Sequence, residues 1–163
     1  MSMKVSSKMT VSSQRRSSKT KRRGFVATPV KTGSDPSSVN LMEWSCYIPG
    51  KAGTDWEGAS YPITMLFSED YPNKPPTCKF PEGFFHPNVY PSGMISIDIL
   101  DEDREWDPDL TIEEILSSIQ DFLDNPNPYD PTQDAYYIFS RDQDAYNKRV
   151  RQQVEYYASL PPP

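Results

Sequence analysis

The chain has 163 residues, enough for one domain with a genuine core and too few for two of ordinary size. With 36% hydrophobic residues, 25% charged residues and a net charge of −6, it reads as a soluble globular protein, and no apolar run is long enough to cross a bilayer or to serve as a secretory signal. Two cysteines, Cys46 and Cys78, and a single histidine exclude a disulfide framework and offer no metal-ligand spacing, so two reduced, buried thiols in a cytosolic or nuclear protein are expected.

Charge is uneven along the chain. The first 23 residues hold Lys4, Lys8, Arg15, Arg16, Lys19, Lys21, Arg22 and Arg23 and no acidic residue, while the rest sets nine basic residues against 23 acidic ones, a balance of −14. This serine-rich arm lacks apolar periodicity, so residues 1–23 are predicted to be largely disordered. Its clusters Arg15–Arg16 and Lys21–Arg22–Arg23 are open to three readings: a nuclear localisation signal, a contact for acidic surfaces, or a solvated tail.

From Gly24 the character changes. "GFVATPVK" and "NLMEWSCYIPG" are β-branched and aromatic strand candidates, separated by "TGSDPSS", a loop by composition. "SYPITMLF" is a third strand and "TCKF" a short fourth. Their closeness in sequence predicts an antiparallel meander. Pro72, Pro75, Pro76, Pro81, Pro87 and Pro91 then rule out a central ladder and predict a rigid, irregular segment of the kind that holds functional groups. Within it, "HPNVYPSGMISIDIL" uses two prolines and a glycine to lead into a short alternating, strand-like run around Ser96.

Helices follow. Thr111 with Glu114 forms a capping-box pattern ahead of Ile112, Ile115, Leu116, Ile119, Phe122 and Leu123, which share one helical face, and "NPNP" from Asn125 stops that helix. A second helix is predicted from Pro131 through Phe139. A third runs from about Asp142, with Tyr146, Val150 and Val154 four apart, and ends before "LPPP". Strands first and helices afterwards predict an α+β fold.

The pieces "GFVATP", "NLMEW", "CYIPGKAGTDWEG", "YPITMLFSEDYPNKPPTCKF", "FFHPNVYPSG", "DEDREW", "TIEEIL", "NPNPYDP" and "YNKRVR" together resemble a ubiquitin-conjugating (UBC) domain, and most closely the SUMO-conjugating branch. His-Pro-Asn-Val-Tyr-Pro-Ser-Gly followed by an acidic insertion ending in Trp106 is the specific part, since members that handle ubiquitin usually lack that insertion. The resemblance implies a four-stranded antiparallel sheet backed by helices, with residues 24–159 as the UBC core between the arm and a Pro-rich tail, 160–163. It implies no cofactor and no metal. It also implies passage of a small protein modifier from an activating enzyme to a substrate lysine through a thioester, hence SUMO, the activating enzyme, ligases and substrate proteins as partners. The expected setting is the nucleus and cytoplasm, away from membranes.

In that family the position of Ser96 is a cysteine. An alcohol is a far weaker nucleophile than a thiol and needs an adjacent base; His86 is the only histidine, and no Gly-x-Ser-x-Gly elbow supports a Ser–His pair. If Ser96 were loaded, the oxyester would be a poor donor. Cys46 and Cys78 match ordinary strand cysteines. By resemblance, Asn88 stabilises an oxyanion or braces the turn, Tyr90 and Asp130 flank the incoming lysine, unless Asp130 simply caps the helix after Pro131, and Thr77, Ser92 and Met94 occupy positions that contact an acidic substrate motif. Lys79 keeps a charge nearby, and Asp103 of the insertion joins the substrate-binding set. Arg15 and Arg16 are candidate contacts for the modifier or activating enzyme, although the arm has lost the apolar face of the family's first helix.

Two origins for Ser96 stay open: natural loss, giving a binding or scaffold protein, or an introduced change in a competent enzyme. A third reading, nucleic-acid binding through the arm, is disfavoured by the acidic body.

Overall fold

In a computed structural model of the protein, which describes residues 24–31, 39–127 and 132–161, four strands come first and three helices follow. Strands β1 (Val26–Lys31), β2 (Val39–Pro49), β3 (Ser60–Leu66) and β4 (Thr77–Lys79) form one antiparallel sheet in the order β1-β2-β3-β4, the predicted meander. One face is covered, so every second side chain of β3 enters the core: Tyr61, Ile63 and Met65 are buried and their neighbours half-buried. Prolines sit where the ladder tolerates them. Pro29 is on the edge strand β1, beside a register shift between Pro29 and Val30. Pro62 lies in the part of β3 that pairs only with β2.

Helix α1 (Ile112–Asp124) is the most plainly encoded. The Glu114 N–H donates to Thr111 Oγ1 at 3.1 Å and the Thr111 N–H donates to the Glu114 carboxylate at 3.3 Å, a reciprocal cap worth about 1 kcal/mol. Ile112, Ile115, Leu116, Ile119, Phe122 and Leu123 are all buried, and the helix packs on β2. Each such side chain contributes ~1.5–3 kcal/mol by leaving water. The helix is capped at Asn125, where "NPNP" begins.

Helices α2 (Asp134–Arg141) and α3 (Gln143–Ala158) pack on each other, and α3 also meets β3. The Asp142 carboxylate accepts the Ala145 N–H at 3.0 Å and caps α3. Where the sequence predicts a helix over Pro131–Phe139, α2 spans Asp134–Arg141. The reason is local. Gln133 is extended (φ −162°, ψ 177°), and the side chains of Thr132 and Gln133 turn back to donate to carbonyls of the irregular segment instead of opening a helix.

That irregular segment joins the sheet to α1. Trp106 pins its acidic insertion: the indole Nε1–H donates to Pro72 O at 3.0 Å, and the ring lies 6.3 Å from that of Tyr71. No helix among the described residues is long and apolar enough to cross a membrane.

Candidate functional site

The site grows from a turn that cannot satisfy its own backbone. Residues 84–89 belong to no strand, yet Phe84, Phe85, His86 and Val89 are buried, and buried peptide groups must find partners. Side chains and carbonyls of the helical half supply them. Gln153 of α3 pairs with both groups of Phe85: its Oε1 accepts the Phe85 N–H at 2.7 Å and its Nε2 donates to Phe85 O at 3.0 Å. Thr132 Oγ1 lies 2.7 Å from Pro87 O and 3.0 Å from Val89 O, and Gln133 Nε2 donates to Phe84 O at 2.9 Å and to Val89 O.

His86 is fixed in one role by the same packing. It is fully buried, with Nε2 3.1 Å from Phe122 O and 3.2 Å from Leu123 O, so Nε2 carries the proton and donates to the end of α1. Nδ1 accepts the Asn88 N–H at 3.1 Å. Burial pushes the imidazole pKa down to about 4, against the pull of the two carbonyls. A neutral ring with both nitrogens occupied cannot take a proton from Ser96. The Ser–His pair that the sequence allows is absent.

Asn88 is buried as well. Its Nδ2–H donates to Asn127 O at 2.9 Å and its Oδ1 accepts the Asn127 N–H at 2.6 Å. The side-chain amide thus mimics a strand partner for Asn127 and braces the turn against the segment after α1. Ser96 follows from that frame: its N–H donates to Asn88 O at 3.3 Å, and Val89 forms a bridge with Ile95. The strand-like run expected around Ser96 is only two isolated bridges, Lys79 with Met94 and Val89 with Ile95, before a 3-10 turn at Asp98–Leu100.

Ser96 is half-buried at the junction of two openings, a cleft of about 690 Å³ and a smaller one of about 220 Å³. Tyr90 and Met94, each 41% exposed, give the larger cleft an apolar wall. Asp98, Asp101, Glu102 and Asp103 line it too, with Lys74 and Arg104. Arg104 reaches Asp98 at 3.3 Å and Asp101 at 3.5 Å, which braces the insertion. Among its charged groups carboxylates therefore outnumber cations.

The two thiols lie elsewhere. Cys46 and Cys78 are buried in β2 and β4; burial pushes the Cys46 thiol up to about 12 and raises Cys78 as well. Neither supplies a thiolate.

Of the candidates read from the sequence, Ser96, Tyr90, Met94 and Asp103 share the cleft, and Asn88 is buried and accepts the Ser96 N–H through its carbonyl. Thr77 and Lys79 are on β4, Lys79 beside Met94, and Ser92 Oγ accepts the Met94 N–H at 3.4 Å; these three are outside the cleft lining. Asp130, Arg15 and Arg16 lie outside the described residues. Sequence reasoning missed Asn127, Thr132, Gln133 and Gln153. Polar residues near "NPNPYDP" and on the last helix carry no periodic signal, and only the fold shows that they serve one turn.

The chain matches the family model described as ubiquitin-conjugating enzyme over residues 9–154. It is 60% identical over 138 residues to the SUMO-conjugating enzyme SCE1 of Arabidopsis thaliana, covering 84% of this chain and 85% of that protein. It is 50% identical over 141 residues to the Sumo-conjugating enzyme ubc9 of Dictyostelium discoideum, covering 86% of each.

Proposed function

The chain belongs to the ubiquitin-conjugating enzyme family, and from that premise we propose that it is a SUMO-conjugating-type UBC protein that binds the pathway's components without passing a modifier on. Ser96 stands where the resemblance places the nucleophilic cysteine. The observation that carries this reading is the state of His86: fully buried, neutral and hydrogen-bonded at both nitrogens, it leaves the Ser96 hydroxyl without an imidazole base. The buried thiols Cys46 and Cys78 are no substitute.

Its partners are then the modifier, the activating enzyme, ligases and substrate proteins, held in a scaffold or competitor role. The carboxylates around the cleft, with Thr77 and Met94 at positions expected to read an acidic motif, support weakened recognition of acidic substrates. The clusters Arg15–Arg16 and Lys21–Arg22–Arg23 support placement in the nucleus as well as the cytoplasm.

The test is a reaction with activating enzyme, ATP and SUMO. No reductant-sensitive conjugate should form; at most a slow, reductant-resistant ester on Ser96 accumulates. A conjugate that reductant removes, or substrate modification at ordinary rates, overturns the reading.

The 60% identity over 138 residues to a SUMO-conjugating enzyme favours a second reading: a competent conjugating enzyme in which serine was introduced for the catalytic cysteine. A cysteine codon at this position in the natural gene, together with transfer restored by Ser96→Cys, would establish it. A serine codon rules it out.

A further inference from the structure

We infer that Gln133 is a positioning residue for the Ser96 site, its carboxamide holding the two ends of the His-Pro-Asn turn at a fixed separation. The inference rests on reading Ser96 and its neighbours as a UBC transfer site, and it adds a residue that the motif does not contain.

The turn is bolted at several points, but most bolts grip a single place. Gln153 pairs with one residue, Phe85. His86 ties itself to Phe122 and Leu123. Thr132 Oγ1 is within reach of Pro87 O and Val89 O, but a hydroxyl has one hydrogen and serves one carbonyl at a time. Gln133 differs. Its Nε2 carries two hydrogens and donates to both Phe84 O and Val89 O, the first and last carbonyls of the turn. It spans the loop from end to end.

What lies beyond Val89 gives this staple its consequence. Val89 bridges Ile95, Asn88 O receives the Ser96 N–H, and the Tyr90 N–H donates to Met94 O at 3.0 Å. The placement of Ser96 and Tyr90 is therefore referred to the Val89 end of the turn. Gln133 also occupies the N-cap position of α2, where its carbonyl accepts the Tyr136 N–H at 3.0 Å while its side chain is spent on the turn. One side chain thus links the start of α2 to the backbone that positions Ser96. A shift of that backbone misaligns transfer, where small displacements cost most, and leaves docking of a modifier largely intact.

Two readouts test this, using full-length protein. The first is the backbone amide NMR signals of Tyr90 and Ser96 in the otherwise unaltered chain. Gln133→Glu keeps the side-chain shape but turns an oxygen toward two carbonyls, and should displace both signals. Gln133→Ala should do the same and serves if Gln133→Glu does not fold. Gln153→Met removes the Phe85 pair and should lower the melting temperature while leaving Tyr90 and Ser96 in place. Unmoved signals in the Gln133 variants, or equal movement in Gln153→Met, overturn the inference.

The second readout uses Ser96→Cys as background. Adding Gln133→Glu should leave thioester formation within about twofold and slow discharge to free lysine about tenfold, a split that simple destabilisation does not produce. Equal loss in both steps, or none, counts against the positioning role. Should Ser96→Cys accept no modifier at all, the transfer-site reading falls, and the NMR signals alone decide the place of Gln133.

Discussion

Acid should unfold this protein earlier than its carboxylates require, and His86 is the reason. In the unfolded chain the imidazole binds a proton at its ordinary pKa of 6.5; in the fold it refuses one until about pH 4, because burial disfavours the charged ring. Below pH 6.5 the unfolded state therefore holds more protons than the folded state, and stability falls as the pH drops. At ~1.36 kcal/mol per pKa unit, the loss is about 2 kcal/mol by pH 5 and about 3 kcal/mol by pH 4. The chain has one histidine, so between pH 7.5 and 5.5 most of the slope belongs to that group, while the Asp124 carboxyl, raised by burial, opposes it toward the acid end. Urea unfolding at pH 7.5, 6.5, 5.5 and 5 measures it, and the imidazole proton signals measure the folded pKa directly. The expected result is near-constant stability above pH 7, a decline of about 1.2 kcal/mol per unit near pH 5, and imidazole signals that do not titrate above pH 5. A folded-state midpoint near 6.5, or stability unchanged down to pH 5, refutes the argument.

Thiol reagents should modify neither Cys46 nor Cys78 in the folded protein and both after denaturation, as read by mass spectrometry; fast labelling of either would contradict their burial. Gly93→Ala should cost about 2 kcal/mol or more, seen in denaturant melts, because Gly93 has φ +95° and an added Cβ would lie 2.0 Å from Phe80 O. Thr77→Lys combined with Met94→Thr should tighten binding of a peptide with an acidic residue beside its lysine about fivefold, the upper end of what exposed ion pairs supply, by fluorescence polarisation against an alanine control. Equal affinity before and after would mean that these positions do not read charge.

Much of this architecture was legible because it is written in periodicity and punctuation. The strand runs are rich in β-branched and aromatic residues, Thr111 and Glu114 announce α1, and six apolar residues at helical spacing define its buried face. Prolines confine the irregular segment. The sequence also singled out Ser96, Tyr90, Met94 and Asp103, which share the cleft. The start of α2 was misplaced because Thr132 and Gln133 spend their side chains on turn carbonyls, a long-range demand that no local propensity reveals. The strand expected around Ser96 shrank to bridges for a similar reason: the alternation is real, but β4 is three residues long and offers little ladder to extend. The second role of Asn88 was foreseen, yet its partner Asn127 was not, since a backbone contact 39 residues away leaves no trace in composition.

The bracing around His86 and Asn88 bears on how such motifs should be interpreted. Every group in that turn answers to a folding requirement before it answers to a reaction: strip away the chemistry and the polypeptide still needs those hydrogen bonds to stay compact. Selection for solubility and lifetime alone would preserve His86, Asn88 and their neighbours long after a nucleophile was exchanged. The signature that advertises an enzyme is, in this protein, also its foundation.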